Sequence, residues 1–186
     1  MEIMVLGLLL WSSVHLMPSL AQPVKKIVIH SLGETGYKIA FAVLIVISLV
    51  LIVYGWRHTI PDYIYALPIV VKPIAVALML VAFILFGAAK YPTRIKSYIR
   101  NPQLTSVIVW SVAHLLANGD SRSIVLFSWM GTWALLEIIF INRREGIWVK
   151  QSVPSWPKEL RGVAISLVVF VVVIFIHPYI AGVSLK

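Results

Sequence analysis

Two histidines lie inside apolar stretches of the sequence and share the same neighbours. WSVAH at Trp110 to His114 repeats the Trp-Ser-x-x-His spacing of WSSVH at Trp11 to His15. In a helix, residues three and four positions before a histidine lie on its own face, so an indole and a serine hydroxyl flank each imidazole. Neutral imidazole is a common ligand of metals and of haem iron. The repeat therefore predicts either a shared metal or haem, or two structural histidines with hydrogen bonds across helices.

The composition predicts that these histidines lie in a membrane. Of the 186 residues, 60% are hydrophobic and 12% are charged, whereas an ordinary soluble domain has about 25% charged residues. A helix needs about 20 mostly apolar residues to cross a bilayer. The chain supplies several such segments, which favours an all-α, polytopic membrane bundle.

Six apolar segments predict six transmembrane helices in a single domain over residues 1–186. The fourth segment is short and contains Gln103, Thr105 and Ser106 besides its histidine. A helix with so many polar residues is expected to lie in the centre of a bundle rather than against lipid. The predicted spans are residues 3–20, 37–56, 68–89, 103–118, 123–141 and 162–181.

Lysines and arginines are distributed unevenly between the two predicted faces, which hold 12 and 4 of the 16. Because the richer side is normally cytoplasmic, we expect a multi-pass protein whose two termini both face away from the cytoplasm. The first segment starts with Glu2 and no basic residue, so we expect it to be retained rather than cleaved as a signal peptide. The richer face comprises Lys25, Lys26, Lys38, Lys90, Arg94, Lys96, Arg100, Arg143, Arg144, Lys150, Lys158 and Arg161, and the other comprises Arg57, Lys72, Arg122 and Lys186.

This orientation is testable with accessible tags. We expect a tag at either terminus to be reached by a probe confined to the periplasm, and a tag inserted at Lys150 to be reached only from the cytoplasm. The measurement is labelling of intact and permeabilised cells. A cytoplasmic N-terminus would reverse the assignment of the two faces.

The two repeated histidines are predicted to lie at similar depth on antiparallel helices. At 1.5 Å per residue, His15 lies about 18 Å from the outer end of its span and His114 about 16 Å from the inner end of its own. Both positions are near the midplane, so one ligand could be shared. His177 precedes Pro178 near the outer end of the last span, and it could reach the same ligand or end the helix. His30 and His58 fall in predicted connections.

The sequence also excludes several kinds of chemistry. It has no cysteine, which removes disulfides, thiolate ligands, iron–sulfur clusters and covalently attached haem. The formal net charge is +9. In so apolar a chain, basic residues indicate topology and contact with anionic lipid head groups rather than nucleic acid.

Four segments resemble the NnrU family of bacterial membrane proteins. They are RNPQLTSVIVWSVAHLLANGD at residues 100–120, WSSVHLMPS near the start, LGETGYK at residues 32–38 and HPYIAGV near the end. Proteins of that family are associated with nitrite and nitric oxide reduction. The resemblance implies a role in or beside denitrification, with nitric oxide and respiratory proteins as candidate partners. It also implies a location in the bacterial inner membrane, where the predicted orientation makes both termini periplasmic.

The same segments are similar to ζ-carotene isomerase, a plastid relative that binds haem b through two histidines. This resemblance implies haem b as the cofactor, His15 and His114 as its ligands, and His177 as the alternate. Two positions differ, because Asn101 stands where the relative has histidine and Ser111 where it has cysteine. An exchange of histidine for thiolate on the iron is therefore impossible in this chain.

Around these ligands we expect a set of cofactor-binding residues, and the reaction stays open. A haem-dependent isomerase of an apolar polyene and a cofactor-free assembly protein are the main alternatives. A third is a membrane methyltransferase that uses S-adenosylmethionine, because the Arg-x-Pro segment is similar to isoprenylcysteine carboxyl methyltransferases. The catalytic residues are not specified, and the expected cofactor-binding residues are Trp11, Ser12, Trp110, Ser111, Arg100 and Asn118.

Overall fold

The computed structural model describes residues 1–150 and 152–182, and within them the chain forms six α-helices and no β-strand. Lys186, counted above for topology, lies outside the described residues, as does Val183 of the HPYIAGV segment. An all-α fold is confirmed. The helices are α1 (Glu2–Leu20), α2 (Gln22–His58), α3 (Lys72–Ala88), α4 (Pro102–Ala117), α5 (Ser121–Glu145) and α6 (Trp156–Ala181).

The observed helices agree with the predicted spans except at the start of α2 and α6. α2 begins at Gln22 instead of Tyr37 and is kinked at Gly33, where φ is 72° and ψ is 169°. α6 begins at Trp156, with Pro157 in its first turn. Proline is well tolerated there because the first amide groups of a helix have no partner within it.

Most of these helices are suited to cross a membrane. α1, α2, α5, α6, and α3 together with the preceding turn Ile69–Val71, are long and apolar enough by length and composition. The chain is therefore a multi-pass membrane protein. α4 has 16 residues, about 24 Å at 1.5 Å per residue, whereas the hydrocarbon core is about 30 Å thick. The prediction of six crossings thus depends on α4.

The helices divide into two compact units, and the first comprises Met1–Leu67 and Asn118–Gly146. In it, α1 packs against α2 and α5. Met4 and Leu8 of α1 are fully buried together with Ile52 of α2. A Cβ atom added to Gly55 would lie 2.3 Å from the backbone nitrogen of Met4, so the two backbones approach closely, as small residues allow in membranes.

The start of α5 is fixed by the segment 118–120, which connects α4 to α5. The Asp120 carboxylate accepts hydrogen bonds from the Ser123 amide at 3.1 Å and its hydroxyl at 2.6 Å, and so caps α5. The Gly119 carbonyl accepts from the amides of Ile64 and Tyr65 at 2.8 and 3.0 Å. Gly119 does not have a positive φ. Glycine is required there for space, since a Cβ atom would lie 1.8 Å from the Tyr65 carbonyl oxygen.

The second unit comprises Pro68–Ala117 and the described part of Ile147–Lys186. In it, α3 packs against α4 and α6. The buried Glu159 carboxylate accepts hydrogen bonds from the Thr93 hydroxyl at 2.6 Å and from the Arg94 amide at 2.9 Å. These bonds attach the first turns of α6 to the connection that precedes α4.

Candidate functional site

The first candidate histidine, His15, lies half-buried on α1 in the first unit. Its Nδ1 atom is 3.0 Å from the Trp11 carbonyl oxygen. A carbonyl oxygen can only accept, so this bond requires the proton on Nδ1 and leaves the lone pair on Nε2. Imidazoles that bind metals commonly have this arrangement.

Three aromatic side chains surround His15. The ring centroid of Trp11 is 4.1 Å away, that of Trp133 5.1 Å and that of Phe41 5.5 Å. Trp11 also contacts the edge of Trp133, with centroids 5.5 Å apart. These three residues form what we call the His15 cage.

One face of α5 supplies polar contacts to the same side of α1. Trp129 donates its indole N–H to the Ser12 hydroxyl at 2.9 Å. One turn beyond Trp133, the buried Glu137 carboxylate accepts a 2.6 Å hydrogen bond from Ser19. The sequence signal was the spacing of four residues between Trp129, Trp133 and Glu137, which places them on one helical face.

Two indole groups of the His15 cage lack hydrogen-bond partners. The Nε1 atoms of Trp11 and Trp133 are buried and have no partner among the described residues. Buried polar groups usually have a partner. Packing of aromatic faces rather than hydrogen bonding therefore determines how these rings surround His15.

The second candidate histidine, His114, lies half-buried on α4 in the second unit. Its Nδ1 atom is 2.9 Å from the Trp110 carbonyl oxygen, and the two rings are 4.9 Å apart. The same reasoning puts the proton on Nδ1 and the lone pair on Nε2. Ser111, one turn earlier, is buried, and its hydroxyl has no hydrogen-bond partner within residues 1–150 and 152–182.

The structure brings His177, the alternate ligand, beside His114 in the second unit. Their ring centroids are 6.3 Å apart and the ring planes are inclined by 33°. The Nδ1 atom of His177 is buried and has no hydrogen-bond partner in the described part of the chain. His177 thus differs from His15 and His114, whose Nδ1 atoms contact backbone carbonyl oxygens.

His58 shows which part of this geometry follows from the helix alone. Its Nδ1 atom is 2.8 Å from the Tyr54 carbonyl oxygen, and the two rings stack at 4.0 Å. Yet His58 is exposed at the end of α2. The carbonyl contact and the aromatic ring four positions earlier therefore do not by themselves indicate a ligand site, whereas the pairing of His114 with His177 brings together residues of two helices.

Arg100 and Asn118, the two remaining expected cofactor-binding residues, lie just before and just after α4 in the sequence. Arg100 is half-buried just before α4 in the second unit. Asn118 belongs to the first unit, where its carbonyl oxygen accepts a hydrogen bond from the Tyr65 hydroxyl at 3.2 Å. This contact gives Asn118 a role in holding the connection before α5, and its contact with a cofactor remains a prediction.

The titratable side chains of the described residues form no group of three or more histidines, aspartates or glutamates that could hold a metal ion. What they do form is the pair His114 and His177. Two imidazoles can provide the axial ligands of a haem, because the porphyrin supplies four more nitrogens.

Comparison with known proteins assigns the chain to a family. The family described as NnrU protein matches residues 3–185. No curated protein and no solved structure matches the chain. The family match extends over both Trp-Ser-x-x-His segments and over His177. The chain therefore belongs to the NnrU protein family.

Proposed function

We propose that this protein binds haem b in its second unit, with His114 and His177 as the axial ligands, and that it acts in or beside nitrite and nitric oxide reduction. The observation that carries the proposal is the 6.3 Å separation of the two imidazole rings. His177, the alternate ligand of the sequence analysis, takes the place of His15 in this pair.

The separation would leave room for a metal ion between the two imidazoles. Each metal–nitrogen bond is about 2.0 Å, so the two coordinating nitrogens are about 4 Å apart. The centre of each ring lies roughly 1 Å beyond its nitrogen, which gives a centroid separation of roughly 6 Å. Direct hydrogen bonding or close stacking of the two rings would bring the centroids closer than the 6.3 Å observed.

The ring nitrogens of His114 and His177 also support binding of a metal between them. The Trp110 carbonyl oxygen holds the proton of His114 on Nδ1, which directs the lone pair of Nε2 away from the backbone of α4. The buried Nδ1 atom of His177 has no hydrogen-bond partner in the described residues. A buried ring nitrogen without such a partner is suited to bind a metal, because coordination offsets the cost of burying it.

The surrounding residues would orient the ligands and exclude water. The hydrogen bond to Trp110 fixes the rotation of the His114 ring, and such outer contacts commonly tune metal affinity. Ser111 offers a buried hydroxyl one turn away. A bound haem would supply one-electron transfer, and with one axial position open it would also supply binding of nitric oxide.

The His15 cage supports a structural role for the other histidine. Aromatic rings contact His15 on three sides, and such contacts contribute to packing of α1 against α2 and α5. Neither Trp11 nor Trp133 offers a group that ligates metals. We therefore assign His15 to the packing of the first unit.

The setting in nitrogen-oxide reduction is supported by family membership and by the membrane location. Reduction of nitrite and nitric oxide requires one-electron donors, and a membrane haem with two histidine ligands is suited to such transfer. We propose the bacterial inner membrane as the protein's location and respiratory proteins as its partners.

A difference spectrum of the purified protein tests the proposal. We expect the protein purified in detergent from haem-replete cells to contain about one haem b per chain and to show the narrow reduced-minus-oxidised bands of a six-coordinate, low-spin iron. Well-folded, monodisperse protein with no haem would reject the proposal. A high-spin spectrum would reject the ligand pair while leaving haem binding in place.

A further inference from the structure

The first part of α2, residues 22–32, is longer than the membrane crossing requires, and we call it the N-terminal arm. α2 has 37 residues, or about 55 Å at 1.5 Å per residue, whereas the hydrocarbon core is about 30 Å thick. Residues 34–58 alone extend for about 37 Å and are enough to cross. The arm therefore remains outside the crossing.

The contacts of α1 show at which level the arm leaves the bundle. Along the antiparallel pair, Gly55 faces Met4, Ile52 faces Gly7, and Phe41 contacts His15. α1 ends at Leu20, five residues after His15. The corresponding level on α2 is near residue 36, so the arm follows the end of α1 in the sequence and ends close to the level at which α1 ends.

Gly33 turns the arm away from the direction of the crossing segment. Its φ of 72° and ψ of 169° fall in a region that is essentially restricted to glycine. A Cβ atom at Gly33 would meet no atom within 4 Å. The glycine is therefore required for the backbone direction and not for space.

The arm carries an apolar stripe and a basic stripe and has no buried residue. Val24, Ile27 and Val28 are spaced by three and four residues and so share a face. Lys26 and His30, also four apart, lie on the opposite face. Exposed fractions on the apolar side are 47% for Val24 and 65% for Ile27, so the first unit leaves this stripe uncovered.

From this placement, we propose that the arm is an interfacial helix that lies in the head-group region of an anionic leaflet. Its apolar stripe would contact the acyl chains, and the exposed Lys26 would contact the lipid phosphates. Lys25 lies at the edge of the stripe, with its ammonium 5.8 Å from the Tyr37 ring centroid, and would reach the phosphates from there. Helices with this charge and apolar pattern bind membrane surfaces in the same way. The proposal is independent of haem binding.

Single-cysteine labelling measures the depth of the arm directly, because the chain has no cysteine of its own. Full-length Ile27→Cys and Lys26→Cys variants would carry a nitroxide in vesicles of phosphatidylglycerol and phosphatidylethanolamine. We expect the label at position 27 to be several-fold more accessible to oxygen than to a water-soluble nickel chelate, and the label at 26 to show the reverse.

Val46→Cys is the matched control for depth, since Val46 is 59% exposed on the crossing part of α2. Equal accessibility to the nickel chelate at positions 26 and 27 would place the arm in water and overturn the proposal. Accessibility at both positions equal to that at 46 would place the arm inside the bilayer and would overturn it too.

The role of the lysines is tested by charge. In the anionic vesicles, Lys25→Gln and Lys26→Gln should raise the water accessibility of the label at position 27 by about fivefold each, since a surface lysine contributes about 1 kcal/mol. In phosphatidylcholine vesicles, the substitutions should have no effect. The same response in both lipids would reject an interaction with anionic head groups.

Discussion

His114→Ala and His177→Ala should each abolish the low-spin haem spectrum, whereas His15→Ala should leave it unchanged. Each of the first two substitutions removes one of two imidazoles whose rings are 6.3 Å apart, and a six-coordinate iron needs both. His15 belongs to the other unit, inside its aromatic cage. The measurement is the reduced-minus-oxidised spectrum together with the haem content per chain.

His58→Ala is the matched control, since His58 has the same contact with a carbonyl four residues earlier but is exposed. A His114→Gly variant adds a second readout, because free imidazole should restore the low-spin bands by occupying the vacated space. Loss of the spectrum in His15→Ala with retention in His177→Ala would reject the proposed pair. It would restore the pair expected from the sequence.

Gly119→Ala should lower the free energy of unfolding by about 2–4 kcal/mol. The added Cβ atom would lie 1.8 Å from the Tyr65 carbonyl oxygen, which is too close for any real contact. Overpacking costs about 1–3 kcal/mol, and separating the segments also weakens two backbone hydrogen bonds to the Gly119 carbonyl, each contributing about 1 kcal/mol. The measurement is unfolding in mixed micelles, followed by tryptophan fluorescence.

Thr132→Ala provides the control, because Thr132 is exposed on α5 in the same unit and its replacement should change stability by no more than about 0.5 kcal/mol. Asp120→Ala should fall between the two, at about 1 kcal/mol, through loss of the cap on α5. If Gly119→Ala has the same free energy of unfolding as the wild type, the close approach of Gly119 to Tyr65 is wrong.

The helices could be predicted from the sequence because long apolar segments in a membrane protein have few alternatives. The exceptions are the starts of α6 and of α2, and α2 was predicted to begin only at Tyr37, after the segment that contains Gly33 and Gly36. The kink at Gly33 is real. The arm before it is nonetheless helical, because its apolar residues are spaced as on one face of a helix. The unusual φ of Gly33 alone is enough to change the direction of the chain.

The aromatic neighbours of His15 could not be identified in the same way. From the sequence, Trp129 and Trp133 could be assigned only to an apolar helix. Their spacing with Glu137 becomes informative once α5 is known to pack against α1. Periodicity identifies the face of a helix but not the helix that it contacts. The long-range partners of a side chain therefore had to come from the structure.

The sequence favoured His15 over His177 through the repeated motif, the resemblance and the estimated depth, and depth was counted from the ends of the spans. That count assumes that all helices begin at one level. α6 begins earlier than predicted, and its Glu159 is bonded to Thr93 and Arg94, which precede α4 by several residues. When two helices start at different levels, residues at different distances from their helix ends can lie side by side. His114 and His177 are such a pair.

The order of the helices along the chain determines when each unit can be completed during synthesis. α3 and α4 emerge from the ribosome before α5, which belongs to the first unit, and α6 emerges after it. His177 therefore reaches His114 only after all five preceding helices have been made. In the proposed function, haem capture has to wait for the synthesis of α6, and a chain arrested before α6 would contain both Trp-Ser-x-x-His segments and still be unable to retain the cofactor.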